Sequence, residues 1–180
     1  MNTIWLTGIS GVGKTTIAQG IKNSKLKDVV IVDGDALRKG VCADLGYSLE
    51  DRDKNIKRAS ELCKMLNDDG HLVIACLNSP LESQREIAKN IIGEDKFFLA
   101  YISCDLVTLR QRDPKGLYAK YDAGLIKNML GLDLPYEPPE KADITLNTAF
   151  FSKENCIGHL IRSYAQWKIK KERNGYSSSL

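Results

Sequence analysis

No stretch of this sequence approaches the roughly 18 consecutive apolar residues that a membrane-crossing helix needs. No leader pattern stands ahead of the first apolar run, at residues 3–8. Histidine is scarce, with only His71 and His159, and both are isolated, so no metal-ligand cluster can be assembled around them. The five cysteines (Cys42, Cys63, Cys76, Cys104, Cys156) are odd in number and scattered without a CxxC pair. That excludes a disulfide framework or zinc ribbon and favours free thiols in a reducing cytoplasm. Net charge is 26 − 23 = +3, too small to imply a nucleic-acid polymer or an anionic membrane as partner. A guanine-reading N-K-x-D segment is also missing, which argues against a GTPase.

What is present alternates. Short apolar runs at 3–8 ("TIWLTG"), 29–35 ("VVIVDGD"), 71–77 ("HLVIACL"), 97–104 ("FFLAYISC") and 142–148 ("ADITLNT") read as strands. Continuous apolar strands suit a parallel sheet covered on both faces, with helical crossovers between them. Residues 48–69 carry Ile56, Ala59, Leu62, Cys63 and Leu66 at helical spacing, opened by Ser48-x-x-Asp51 and stopped by Gly70. A second helix is expected from Pro80 to Ile92, with Ser79 as its N-cap and Gly93 beyond its end. A last, increasingly basic helix spans 153–172, and 174–180 is expected as a disordered tail. The 180 residues therefore read as one three-layer α/β domain with a five-stranded parallel sheet.

Gly8, Gly13, Lys14 and Thr15 fit G-x-x-x-x-G-K-[ST] between a strand and a helix. In such a loop the backbone N–H groups of Gly8, Ile9, Ser10, Gly11, Val12, Gly13, Lys14, Thr15 and Thr16 can cradle phosphates, helped by the positive end of the helix. Lys14 reaches the terminal phosphates, and the Thr15 hydroxyl is the candidate magnesium ligand. ATP with Mg²⁺ is the expected pair.

Acceptor-side residues follow. "VDGDALR" leaves the second strand with Asp33, Asp35 and Arg38 close together, at the carboxyl rim where open α/β sheets bind ligands. A carboxylate there can take a proton from a hydroxyl; alternatively, Asp33 simply caps a short helix. "LGYSLEDRDKN" puts Arg52 and Asn55 three apart on one helix face. Arg52 either grips an anion or balances Asp51 and Asp53 at the surface.

Taken together, "GISGVGKTT", "DGDALR", "LGYSLEDRDKNIKR", "NSP", "RDPKGLYAK" and "IKNMLGLDLPYEPPE" resemble the adenylylsulfate (APS) kinase family over about residues 2–148. The resemblance implies P-loop kinase topology and a mobile lid spanning about 112–137. It also implies Mg²⁺, commonly a homodimer, and transfer of the ATP γ-phosphate to the ribose 3′-hydroxyl of adenosine 5′-phosphosulfate. Asp35 would contact and deprotonate that hydroxyl. Arg38, Arg52 and Asn55 would grip the phosphosulfate and ribose, and Tyr47 would lie against the base. Arg112 begins the lid on the ATP side, and Lys115, Lys120 and Lys127 are candidates for phosphate charge or plain surface residues. Ser79 matches the serine described for the family as a phosphoserine intermediate. Its place ahead of Pro80 equally fits a helix cap, and in-line transfer needs no covalent relay.

The pattern breaks where the base is handled. The family usually shows I-S-P-[YFH]-R, and this chain has Asn78-Ser79-Pro80-Leu81-Glu82. In the lid, Met129 and Leu130 stand where phenylalanine and threonine are typical. A Tyr47–Met129 clamp is softer than two stacked rings, and Asn78 can read a base edge by hydrogen bonds. Three readings stay open on these residues. They are transfer to APS, the same transfer to another nucleotide such as cytidine diphosphoramidate in capsule modification, and a P-loop binding module that transfers nothing.

Overall fold

The computed structural model describes the backbone of residues 1–177 and the side chains through residue 173. Its five strands are β1 (Thr3–Thr7), β2 (Val29–Asp33), β3 (Leu72–Cys76), β4 (Phe97–Ser103) and β5 (Ile144–Asn147). They form one parallel sheet in the order β2-β3-β1-β4-β5, so the first strand lies at the centre. Seven helices accompany them among the described residues: α1 (Lys14–Lys22), α2 (Gly34–Leu37), α3 (Leu49–Asp68), α4 (Glu82–Ile92), α5 (Leu106–Arg112), α6 (Leu117–Asp122) and α7 (Lys153–Ser177).

Strand alternation sorts the apolar runs into two cores. Ile4, Leu6, Ile74, Cys76, Phe98, Ala100 and Ile102 point to one face, where Ile17, Ala18 and Ile21 of α1 and Cys156, Leu160 and Tyr164 of α7 cover them. Trp5, Val73, Ala75, Phe97 and Leu99 point to the other, against Ile56, Ala59 and Cys63 of α3 and Ala88 and Ile92 of α4. Both faces of the sheet are therefore dry, which is why the strands read as unbroken apolar runs. Cys42, Cys63, Cys76 and Cys156 are buried and unpaired, and Cys104 is half-buried.

Helix ends follow local chemistry, with three departures from expectation. Ser48 caps α3 by accepting from Asp51 N–H at 3.1 Å, but Asp51 turns its carboxylate to Gly46 N–H instead of closing the box. The helix expected from Pro80 starts two residues later, at Glu82, and Ser79 is not its cap. A side chain caps a helix only where its oxygen meets free N–H groups, and the Ser79 hydroxyl is claimed elsewhere. Helix α7 reads on to Ser177, beyond the end expected at 172; residues 178–180 of the expected tail lie outside the described residues.

Phe98, fully buried on β4, meets Tyr164 and Trp167 of α7 edge-on, with centroids 5.6 Å away in each case. Truncating it removes the ring on which α7 docks. Phe98→Ala is expected to lower unfolding free energy by about 3–5 kcal/mol, read from urea melts, with an unchanged m-value.

Candidate functional site

Strands β1, β2 and β3 end at one rim, and a cleft opens there. Residues from the P-loop, α2, α3, the 76–80 segment and the start of the lid line it. Gly8 leaves β1 at φ 148°, and a Cβ there would lie 2.2 Å from the Ile102 carbonyl oxygen, so only glycine fits. Gly13, at φ 98° and ψ 15°, turns the chain into α1 in a left-handed conformation with no side-chain cap. The first N–H groups of α1 thus open onto the cleft, as an anion cradle requires.

Lys14 is nine-tenths buried, and its ammonium donates to Gly8 O at 2.7 Å and Ile9 O at 3.0 Å. Burial pushes its pKa down to about 8, although Cys76, Asp35 and Asp33 pull the other way. Thr15 Oγ1 donates to Asp33 Oδ2 at 2.7 Å. Asp33 Oδ1 at the same time accepts from the N–H groups of Asp35 and Ala36, so it both caps α2 and faces the P-loop.

That cap presents Asp35 to the cleft. Lys115, eighty residues on at the start of the lid, donates to Asp35 Oδ2 at 2.6 Å. Burial alone would raise the Asp35 carboxyl, but the Lys115 hydrogen bond and the charges of Lys115, Lys14 and Lys39 outweigh it and hold it down. Opposite, the guanidinium carbons of Arg38 and Arg52 lie 4.6 and 5.6 Å from the Tyr47 ring centre. Among the described residues both arginines donate to main-chain carbonyls rather than carboxylates: Arg38 to Leu45 and Gly46, Arg52 to Tyr47. Burial, and then the Arg38 charge, push the Arg52 pKa down. Two crowded cations without a counter-charge make a receptor for an anion. Asn55 lies beside them, buried, with its Oδ1 unpartnered.

The cleft therefore gathers Ser10, Gly11, Gly13, Lys14, Thr15, Thr16, Asp35, Arg38, Tyr47, Arg52, Asn55, Asn78, Ser79 and Lys115 of the expected residues. Others fall outside it. Arg112 donates to the Thr148 carbonyl at 2.8 Å, and Thr148 Oγ1 in turn donates to Val12 O, on the other side of the P-loop. Lys120 and Lys127 are exposed and away from the cleft lining.

Met129 corrects the expectation of a clamp with Tyr47. It is 6% exposed and packed in the α1–α7 core. The cause is local: Asp133 accepts from the N–H groups of Asn128 and Met129, and a Leu130–Leu134 bridge closes the turn, directing Met129 inward.

Ser79 is the second correction. It is 2% exposed at φ 37°, with its hydroxyl accepting from Trp5 Nε1 and donating to Thr7 Oγ1, both at 3.0 Å. Sequence reasoning also passed over the lid anchors. Tyr118, almost fully buried, donates to Ser10 O at 3.0 Å, and Tyr136 shares a 2.9 Å hydrogen bond with Thr7 Oγ1. Both tyrosines lie inside the quoted lid motifs, but nothing in their spacing marks them as contacts to the P-loop or β1.

Known proteins match this geometry. Residues 1–147 fit the family model for adenylylsulphate kinase. An adenylyl-sulfate kinase from Bacillus licheniformis is 41% identical over 162 residues, 88% of this chain and 82% of that protein. One from Clostridium acetobutylicum is 41% identical over 170 residues, 92% and 84% of the two chains. The structure of Mycobacterium tuberculosis APS kinase in complex with AMPPNP and APS superposes with a TM-score of 0.86. It is 35% identical to this chain and covers 91% of it, and 97% of that chain is matched.

Three outcomes follow from Lys14 and Ser79. A bound triphosphate raises the Lys14 pKa from its free value of about 8, so binding above that pH takes up a proton. ATP affinity is expected to fall about tenfold between about pH 7 and about pH 9, by calorimetry in buffers of different ionisation enthalpy. Ser79→Ala strands the buried Trp5 N–H and is expected to cost about 1–3 kcal/mol in urea melts. Radiolabelled γ-phosphate should leave no acid-stable label on wild-type Ser79.

Proposed function

The chain belongs to the adenylylsulfate kinase family, and we propose that it moves the γ-phosphate of ATP to the ribose 3′-hydroxyl of adenosine 5′-phosphosulfate. The products are ADP and 3′-phosphoadenosine 5′-phosphosulfate. The observation that carries the reading is that Asp35 shares one cleft with the P-loop cradle and the arginine pair on Tyr47. A donor phosphate and an acceptor anion are each given a site there, with a carboxylate in the same cleft.

The division of labour follows from charge and reach. Gly8 to Thr16 hold the triphosphate through main-chain N–H groups, and Lys14 follows the terminal phosphates. Arg38 and Arg52 take the phosphosulfate, Tyr47 backs the base, and Asn55 Oδ1 accepts from a substrate hydroxyl. Asp35 takes the proton of the attacking hydroxyl. While Lys115 holds it, its basicity is low, so transfer requires the pair to part and Lys115 to turn toward phosphate. The lid from 112 to 137 excludes water, which would otherwise compete for the phosphoryl group.

Magnesium fits the residues present. The Thr15 hydroxyl and Asp33 carboxylate, 2.7 Å apart, offer two hard oxygens beside the cradle. Among the described residues no group of three or more His, Cys, Asp or Glu forms a dedicated cage. That suits a cation taking most of its ligands from phosphate and water. When bound, it neutralises charge on the β- and γ-phosphates.

No described helix is long and apolar enough to cross a membrane, and the unpaired cysteines fit a cytoplasmic setting. A homodimer is the proposed assembly, so light scattering should return twice 20.1 kDa.

One observation favours a second acceptor in the assay. Asn78 lines the cleft with its carboxamide unclaimed by the described residues, and Met129 is packed in the core rather than against Tyr47. A smaller base read by hydrogen bonds, as in cytidine diphosphoramidate, suits that arrangement.

ADP release with Mg-ATP and either nucleotide decides between them. APS is expected to give acceptor-dependent turnover; release with the cytidine nucleotide alone would move the assignment, and release with neither would overturn the kinase reading. Asp35→Asn is expected to lower kcat by about 10²-fold or more. Arg52→Ala should raise the acceptor KM while leaving the ATP KM near its original value.

A further inference from the structure

The lid does not end free: its exit stem is bolted to the loop that follows β3. Three consecutive carbonyls of that loop are each held. Asn78 O accepts from Thr7 Oγ1 at 2.7 Å, Ser79 O from Arg85 Nη1 at 2.8 Å, and Pro80 O from Glu137 N–H at 2.8 Å. Glu137 also returns a carboxylate oxygen to Glu82 N–H at 2.8 Å. Arg85, fully buried, is neutralised by Glu82. Ser79 holds a left-handed φ of 37°, a costly geometry for a non-glycine residue, and these bonds are what fix it.

Beneath the loop the hydroxyl protons can be assigned by counting. Trp5 Nε1 can only donate, so Ser79 Oγ accepts from it and gives its own proton to Thr7 Oγ1. The Thr7 proton goes to Asn78 O, the shortest bond it makes. Tyr136 must therefore be the donor in its 2.9 Å contact with Thr7. The ring of Tyr136 stacks on Tyr101 of β4, with centroids 6.0 Å apart and planes 18° apart. The chain Trp5–Ser79–Thr7–Tyr136 thus links the core, the acceptor-side loop and the lid stem, with each proton used once.

We propose that Tyr136 is a positioning residue for phosphoryl transfer: its hydroxyl, through Thr7, sets the lid stem against the loop that carries Asn78 and Ser79. The proposal rests on the kinase reading above. The stem is one fixed point of the lid and Tyr118 another, while Lys115 at the entry end carries an exposed, breakable ion pair. With the stem fixed and Tyr118 held on the P-loop, the Lys115 segment can leave Asp35 and the lid closes over donor and acceptor together. With the stem loose, the lid still covers the triphosphate but registers poorly with the acceptor, and water gains access to the γ-phosphate.

Tyr136→Phe keeps the ring and its stacking and removes only the hydroxyl. Acceptor-dependent transfer and acceptor-independent ATP hydrolysis are measured side by side on the full chain. The expected result is a fall in transfer kcat of about tenfold, the size of one lost buried hydrogen bond, with a raised ratio of hydrolysis to transfer and an ATP KM within about twofold of wild type. Thr7→Val should reproduce the effect, Thr7→Ser should restore the ratio, and Tyr136→Phe with Thr7→Val should be no worse than either alone. A ratio equal to wild type in both Tyr136→Phe and Thr7→Val, whatever happens to the absolute rates or the melting temperature, overturns the proposal. Wild-type protein that transfers to no acceptor fails the kinase reading instead, and the two failures are separable in one experiment.

Discussion

A buried ammonium held by carbonyl oxygens alone is an expensive thing to keep in a folded chain, and the rest of this site is arranged around it. Lys14 donates to Gly8 O and Ile9 O, and its nearest carboxylates, Asp33 and Asp35, act through space rather than by contact. Burial lowers its pKa to about 8, because no contacting anion offsets the lost hydration. Everything that could quench it is diverted: Asp33 is spent on Thr15 and the α2 cap, and Asp35 is held by Lys115. The charge stays available because the neighbouring acids have other duties.

The same logic repeats across the cleft. Arg38 and Arg52 both lie against the Tyr47 ring and repel each other, and their donors go to main-chain oxygens. Local acids are occupied as well: Asp51 turns to Gly46 N–H, and Asp53 accepts from Gln84. Two separate groups of positive charge therefore line the same cleft as Asp35. A protein that merely hydrolysed or sensed ATP would need the first group only. The second is physical evidence for an anionic acceptor, and its distance from the P-loop in sequence makes it an independent observation.

Much of this was legible because strand and helix periodicities are strong when both sheet faces are buried. The alternation Ile4–Trp5–Leu6 sorts onto two cores as period two requires, and the Ile56–Ala59–Cys63 stripe of α3 faces the sheet. The P-loop was readable because its chemistry is carried by backbone and glycine. Ser79 and Met129 were not readable, for different reasons: a long-range contact overrode a sound local rule at Ser79, and a side chain four residues on reset the turn at Met129. Serine before proline is a good helix start, yet Trp5, seventy-four residues earlier, has a buried N–H that must find an acceptor. Met129 sits where a clamp residue belongs in the lid, yet Asp133 folds its turn inward. Neither Trp5 nor Asp133 carries any local sign of the partner it will claim.

Ser79 also bears on the route the phosphoryl group takes. A covalent relay needs a hydroxyl that can reach the γ-phosphate in line and lose its proton to a base. The Ser79 oxygen accepts from an indole N–H that has no alternative, and its proton is committed to Thr7, itself committed to Asn78 O. Freeing that oxygen would strand Trp5 in the core and release the strained backbone at φ 37°. Asp35, by contrast, is more than half exposed, ionised, and tied by its side chain only to the exposed Lys115. Between a buried hydroxyl with two obligations and an exposed carboxylate with one, direct transfer past Asp35 is the route that asks the least of the fold.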